Sequence, residues 1–305
     1  MGNDLNILVT GAGGDSGIAT IRSLREQHTI VAGDCNEHSP GFELAQKRVL
    51  LPTANDPTYL DCVLSVIEDN NIDFVFPNVD EELKTFASNL HKIPQAIISD
   101  PETICICLDK IKTLNRLHTI VPIPNHPQEY PAIIRPAVSR GSKDVYKVWT
   151  EKEAELVFAL FNERGIGRDR LLVQEYLPGD EVTVDALCDF NGDLVVACPR
   201  IRIATKGGIC SVGKSIHDES LLEYVKNITK NLKFYGPINV QFKQDKQGVF
   251  KLLEINPRCA GSLSITKRNG VNIPSLSLSV ATNKTISEHE LQYKDQTVYR
   301  ILSEV

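Results

Sequence analysis

Through the first hundred residues, short apolar runs alternate with amphipathic stretches. Runs at 5–9, 29–32, 48–51, 74–77 and 96–98 read as strands. The segments 16–26, 57–69 and 80–89 carry apolar residues at helical spacing. This alternation predicts a parallel, doubly wound α/β sheet with its ligand crevice beyond the carboxyl ends of the strands. A helix is expected over 101–121, opened by Pro101-Glu102, and the proline-rich stretch 121–131 marks a boundary. Strands then dominate. Those at 132–135 and 144–148 flank a polar loop, 137–143, and a helix follows at 151–163. Strands at 171–176, 182–188 and 194–199 lead to a Gly-rich loop at 206–213 and a helix at 218–232. After a hairpin come a segment at 263–270, a helix near 274–280 and a last strand at 297–302.

That hairpin carries the most chemistry. Asn239-Val240-Gln241-Phe242 and Leu253-Glu254-Ile255-Asn256-Pro257-Arg258 are joined by the turn-rich stretch Gln244-Asp245-Lys246-Gln247-Gly248. Asn239/Gln241 and Glu254/Asn256 sit two apart, so each pair faces one side of its strand, with Val240, Phe242 and Ile255 on the other. Amide and carboxylate oxygens gathered there suit Mg²⁺, and Arg258 just beyond suits a phosphate or a carboxylate. Phosphoryl transfer, which depends on metal and positioning, uses this combination.

Composition narrows the partners. A net charge of −6, with no basic cluster interleaved with aromatics, gives no reason to expect nucleic acid. No run reaches the length of a membrane span, and the N-terminus enters a strand directly, so neither a membrane partner nor a signal peptide is expected. The eight cysteines form no C-x-x-C pair and read as reduced thiols of a cytoplasmic protein.

Other motifs are read against plainer alternatives. Gly11-Ala12-Gly13-Gly14-Asp15-Ser16-Gly17 follows a strand and opens a helix, as in dinucleotide sites, with Asp34 to hold a ribose. Short-chain dehydrogenases resemble this loop but need a Tyr-x-x-x-Lys pair, which no tyrosine here provides. A tight βα turn, or the wall of a substrate crevice, is the preferred reading. Asn78-Val79-Asp80-Glu81-Glu82 reads as a helix N-cap with an acidic first turn. The acids of 174–185 crowd one strand start, which is costly unless cations or hydrogen-bond donors pair with them. Arg135 ends a strand before the small-residue loop Ser139-Arg140-Gly141-Ser142-Lys143, which can fold over phosphates bound by Arg135 and alone reads equally as an ordinary hairpin.

Taken in order, these pieces resemble the ATP-grasp superfamily, most closely one synthetase unit of the carbamoyl-phosphate synthetase large subunit. The resemblance rests on Lys110 after an Asp, Ile134-Arg135-Pro136, Glu175-x-Leu177, Glu181, Asn-Val-Gln-Phe and Glu-x-Asn-Pro-Arg. It implies a Rossmann-like pre-ATP-grasp domain over 1–100 and an α+β ATP-grasp domain over 101–305. The latter would divide into a small lid at about 125–180 and a C-terminal part at about 181–305.

By that resemblance, Lys110, Arg135 and Ser142 would hold ATP phosphates, Glu175, Tyr176 and Leu177 the adenine, and Glu181 the ribose. Gln241, Glu254 and Asn256 would hold Mg²⁺ or Mn²⁺, and Arg258 and Lys206 would be catalytic. Arg200, Arg202 and Lys206 are candidates for gripping an acceptor carboxylate. The implied activity is an ATP-dependent carboxylate–amine ligase working through an acyl-phosphate, with small-molecule acid and amine as substrates and a homodimer as the assembly. A silent nucleotide-binding sensor or partner subunit is the alternative, and a nicotinamide oxidoreductase a weaker one. The phosphate loop has one glycine where the family is richer, and carbamoyl phosphate itself is not expected as product.

Overall fold

A computed structural model describes residues 4–139 and 144–301. The N-terminal part runs β1 (Asn6–Thr10), α1 (Asp15–Leu24), β2 (Thr29–Asp34), β3 (Lys47–Leu50), α2 (Tyr59–Asp69), β4 (Phe74–Phe76) and α3 (Asp80–Ser88). The four strands are all parallel, in the order β3-β2-β1-β4. Both faces are covered. Ile7 and Val9 pack with Ile21 and Leu24 of α1, while Leu8 packs with Val63 of α2 and Leu83 of α3. The doubly wound reading of the apolar runs is what the chain builds.

The run at 96–98 departs from expectation. Only Ala96 bridges β4, through Val75. The chain then leaves the sheet, and the Ser99 hydroxyl exchanges hydrogen bonds with the backbone of Tyr235. The helix expected over 101–121 is two helices, α4 (Pro101–Cys107) and α5 (Lys110–Leu117). Asp109 divides them: its extended backbone lets its carboxylate accept the amides of Ile111 and Lys112 at 3.0 and 3.3 Å. Capping of this kind outcompetes an interior helical role for a short acidic side chain.

Next comes a three-stranded antiparallel sheet, ordered β6-β5-β7, from β5 (Ala132–Pro136), β6 (Tyr146–Val148) and β7 (Leu171–Glu175). The helix α6 (Glu151–Glu163) covers one face with Ala154 and Phe161. The remainder is β8 (Glu181–Cys188), β9 (Leu194–Lys206), β10 (Ile209–Ser215), α7 (Glu219–Asn231), β11 (Gly236–Gln244), β12 (Phe250–Asn256), α8 (Leu263–Arg268), α9 (Ile273–Ala281) and β13 (Thr297–Tyr299). Its six strands are ordered β12-β11-β8-β9-β10-β13.

The expected loop at 206–213 is a strand hairpin instead. Only Gly207 and Gly208 form the turn, both with positive φ (58° and 79°). A two-residue turn of that conformation matches the twist of paired strands and favours glycine.

Alternation decides the two faces of the large sheet. Val182, Val184, Val240, Phe242 and Ile255 are buried with Leu221, Val225 and Ile228 of α7. Thr183, Asp185, Arg200, Asn239, Gln241, Glu254 and Asn256 occupy the opposite parity, which is the polar face. No helix among the described residues is long and apolar enough to cross a membrane. All eight cysteines are unbridged, most of them buried.

Candidate active site

Two cavities meet on the polar face of the large sheet. The first lies between the three-stranded and six-stranded sheets and measures about 210 Å³. It is lined by Lys110, Arg135, Gln174, Glu175, Tyr176, Leu177, Glu181, Gln241 and Glu254, among others. The second is lined by Thr183, Arg200, Arg202, Asn239, Asn256, Arg258 and Ser262, and it too includes Gln241 and Glu254. Those two side chains are the common wall. The register explains the meeting: Asn239 pairs with Asn256 and Gln241 with Glu254 across β11 and β12.

In the first cavity Glu254 sits between two cations. Lys110 Nζ is 3.3 Å from its Oε2, and Arg135 Nη1 is 3.9 Å from the same atom. Burial alone would raise the Glu254 pKa, but Lys110 and Arg135 hold it below the usual carboxylate value. The cations are themselves anchored. Lys110, at the first turn of α5, donates to the Ser139 carbonyl at 2.7 Å. Arg135 Nε donates to Gln174 Oε1 at 3.1 Å and Nη2 to the Leu253 carbonyl at 2.9 Å. Ser142 lies outside the described residues.

The crowded acids find protein cations. Lys251 Nζ lies 2.6 Å from Glu175 and 3.4 Å from Asp245. Glu175 also accepts the Asn125 amide at 2.8 Å. Arg202 lies 3.0 Å and Lys243 3.9 Å from Glu181. The Lys147 ammonium stands 3.4 Å above the Tyr176 ring and 4.2 Å above that of Trp149. No motif in the sequence marked Lys251 or Lys147.

In the second cavity Arg258 donates its Nε to Asp80 and its Nη1 to the Cys259 carbonyl. Burial works against the Arg258 charge, and Asp80 more than offsets it, so its pKa is raised. Lys206 is not brought here. It is exposed at the tip of the β9–β10 hairpin, outside the residues lining either cavity. Arg200 and Arg202 are brought in.

A third, open crevice of about 830 Å³ lies at the ends of the parallel strands and shares Ile209, Arg258 and Gly261 with the second cavity. The loop of residues 11–17 lines it but is closed on itself. Asp34 accepts the Gly13 amide at 2.7 Å, and Gly14 donates to the Gly11 carbonyl. A Cβ at Gly17 would stand 2.3 Å from the Gly11 oxygen. These glycines answer to packing, as the plainer reading expected. Asn78 is not an N-cap either. It is buried and bonds Ser16 and the carbonyls of Thr10 and Phe76, while Glu82 accepts the amides of Asn78 and Val79 at 2.6 and 2.7 Å.

Among the described residues no three His, Cys, Asp or Glu side chains come together as a metal site. One carboxylate with two amide oxygens nonetheless fits Mg²⁺, which usually takes one or two carboxylates and completes its shell with phosphates and water.

Comparison with known proteins places the fold beside several known ones. Residues 168–303 match the model of the family described as ATP-grasp in the biosynthetic pathway with Ter operon. Residues 7–98 match the PylC-like N-terminal domain. The carbamoyl phosphate synthase large chain of Thermoanaerobacter pseudethanolicus is 31% identical over 189 residues, covering 57% of this chain and 17% of that one. The chain thus spans less than a fifth of the length of the curated relatives it matches. Two solved structures share its fold. The biotin carboxylase domain of Hydrogenobacter thermophilus 2-oxoglutarate carboxylase superposes with a TM-score of 0.75 at 18% identity, covering 94% of this chain and 72% of that one. The L-amino acid ligase of Bacillus licheniformis gives 0.74 at 16%, covering 96% and 78%. A parallel sheet that a PylC-like model matches thus leads into strands that an ATP-grasp model matches, and the chain is similar in sequence to the carbamoyl phosphate synthase large chain.

Proposed function

We propose that this protein is an ATP-dependent carboxylate–amine ligase that works through an acyl-phosphate and releases ADP and phosphate. The observation that carries this reading is the position of Glu254, common to two cavities, with Lys110 and Arg135 on one side and Asn256 and Arg258 in the lining of the other. In this reading Glu175, Tyr176 and Leu177 border the base, Glu181 the ribose, and Lys110 and Arg135 the phosphates. The three-stranded sheet serves as the lid.

Glu254, Asn256 and Gln241 would hold Mg²⁺, which offsets the charge of the phosphoryl group when bound. The acid, seated in the second cavity, attacks the γ-phosphorus, and the bond to the ADP oxygen breaks. The amine then attacks the acyl carbon and expels phosphate. Arg258, fixed by Asp80, faces the acyl-phosphate and stabilises its developing charge. Splitting amide formation into two steps through an activated mixed anhydride is what makes it feasible. Supporting the reading, the similar H. thermophilus domain was solved with MgADP and bicarbonate, and the similar B. licheniformis protein is an L-amino acid ligase.

The first experiment is thermal stabilisation by ATP–Mg²⁺, ADP–Mg²⁺ and NADPH. A ligand at a hundred times its dissociation constant stabilises by about 2.7 kcal/mol. Stabilisation by the adenine nucleotides, followed by acid- and amine-dependent phosphate release, is expected. A shift with NADPH alone overturns the proposal.

A further inference from the structure

A buried donor without a partner marks a place where an acceptor from outside the protein is expected. Two such donors stand side by side in the second cavity. Arg200 on β9 and Thr183 on β8 are register partners, each 1% exposed. Arg200 engages Asp185 side-on, through Nε at 2.8 Å and Nη2 at 3.3 Å. Its third vertex, Nη1, has no hydrogen-bond partner, and neither does Thr183 Oγ1. Asp185 cannot serve them as well, since it also accepts Asn239 Nδ2 at 3.0 Å and the Thr266 hydroxyl. Arg202 and Arg258, which also line the cavity, are each held by a carboxylate of their own, Glu181 at 3.0 Å and Asp80 at 2.6 Å, so the open guanidinium donor of this lining is at Arg200.

Arg200, Thr183, Gln241 and Glu254 form one register row across β9, β8, β11 and β12. At roughly 4.8 Å per strand, the row is about 14 Å from end to end along the backbone. An acid phosphorylated beside Glu254 therefore leaves the Arg200 end for another group.

We propose that Arg200 Nη1 and Thr183 Oγ1 form a seat for a second carboxylate, carried by one of the two substrates in addition to the carboxylate that is activated. This rests on the ligase reading and narrows it. The substrates are either a diacid with a simple amine or an acid with an amino acid.

The test is calorimetric titration of the ADP–Mg²⁺ complex with succinate against butyrate, and with L-alanine against ethylamine. Succinate at least tenfold tighter than butyrate assigns the seat to the acid. L-Alanine at least tenfold tighter than ethylamine assigns it to the nucleophile. In either case Thr183→Val, close in shape, lowers the affinity of the preferred ligand about tenfold and leaves ADP–Mg²⁺ affinity unchanged. Arg200→Lys does the same or more. Should that variant fail to fold because Asp185 loses its fork, Thr183→Val decides alone. No preference for either carboxylated ligand, or an unchanged affinity in Thr183→Val, overturns the seat. Failure of ADP–Mg²⁺ to bind the wild type instead removes the ligase reading, and the same titrations without nucleotide then judge the seat separately.

Discussion

Arg258 and Asp80 lie 178 residues apart, and Nε of the one donates to the carboxylate of the other at 2.6 Å. The pair joins the loop after β12 to the start of α3, and so fixes one wall of the second cavity from the N-terminal sheet. Asp80 acts here as a positioning residue. Asp80→Asn is expected to lower kcat about tenfold, equivalent to about 1.4 kcal/mol, with KM for ATP unchanged. Steady-state kinetics give the split, and a change confined to the ATP KM would contradict the assignment.

Glu254→Gln removes the charge that Lys110 and Arg135 share, leaving two nearly buried cations without their counter-ion. Turnover is expected to vanish, and the ligand-free midpoint to fall by a few degrees, because breaking a buried pair strands its partners. Nucleotide should restore much of that midpoint, since phosphates replace the lost carboxylate. Calorimetric unfolding with and without ADP measures both effects.

Trp149 is the only tryptophan, and the Lys147 ammonium bridges it to Tyr176 at the edge of the nucleotide cavity. Binding of ATP–Mg²⁺ is expected to change tryptophan emission as the phosphates draw the lysine away. In Arg135→Ala the same titration should shift to higher ATP by roughly tenfold or more, as loss of a charge-assisted contact implies. An unshifted curve would place the phosphates elsewhere.

Lys251 depresses the pKa of both Glu175 and Asp245. In Glu175 burial opposes this and is overcome by the Asn125 amide and Lys251. In Asp245 burial is overcome by the Val249 and Gln247 amides together with Lys251. A carboxylate with a depressed folded-state pKa gives stability that is complete above its ordinary pKa and is lost as pH falls through the depressed value. The wild-type midpoint should therefore drop as pH falls below about 4, the ordinary carboxylate value. Lys251→Met should show a shallower drop there and a lower midpoint at neutral pH. Parallel pH profiles of the two proteins would remove Lys251 as the cause.

Gly17→Ala forces a Cβ against the Gly11 carbonyl, a backbone atom that cannot turn aside. The expected cost is about 1–3 kcal/mol, the usual range for overpacking, read by denaturant unfolding. Full stability would reopen the glycine loop as a ligand cradle.

Much of the site could be read directly from the chain. In the 239–258 hairpin a period of two separates Val240, Phe242 and Ile255 from Gln241, Glu254 and Asn256, so faces follow from spacing alone. Other features depend on competition or on register, which spacing does not reveal. Asp109 ends one helix and caps the next because a local carboxylate–amide bond wins over a continuous helix. Gly207-Gly208 looked like part of a loop because nothing short of strand pairing distinguishes a two-residue turn. Lys206 shares the parity of Arg200 and Arg202, yet four residues further on it lies about 13 Å along the strand, at 3.3 Å per residue. Asp80 was legible as a first-turn acid, but its bond to Arg258 required the N-terminal sheet to dock.

Among the described residues, two line both cavities, Gln241 and Glu254. A single molecule carrying a nucleotide at one end and an acid at the other would occupy both chambers without crossing backbone. Once its nucleotide end is bound, its acid end meets the second chamber at an effective concentration on the order of millimolar. Such a bridged compound would favour this protein over enzymes that recognise the nucleotide alone, because the thin partition, and not either chamber, supplies the selectivity.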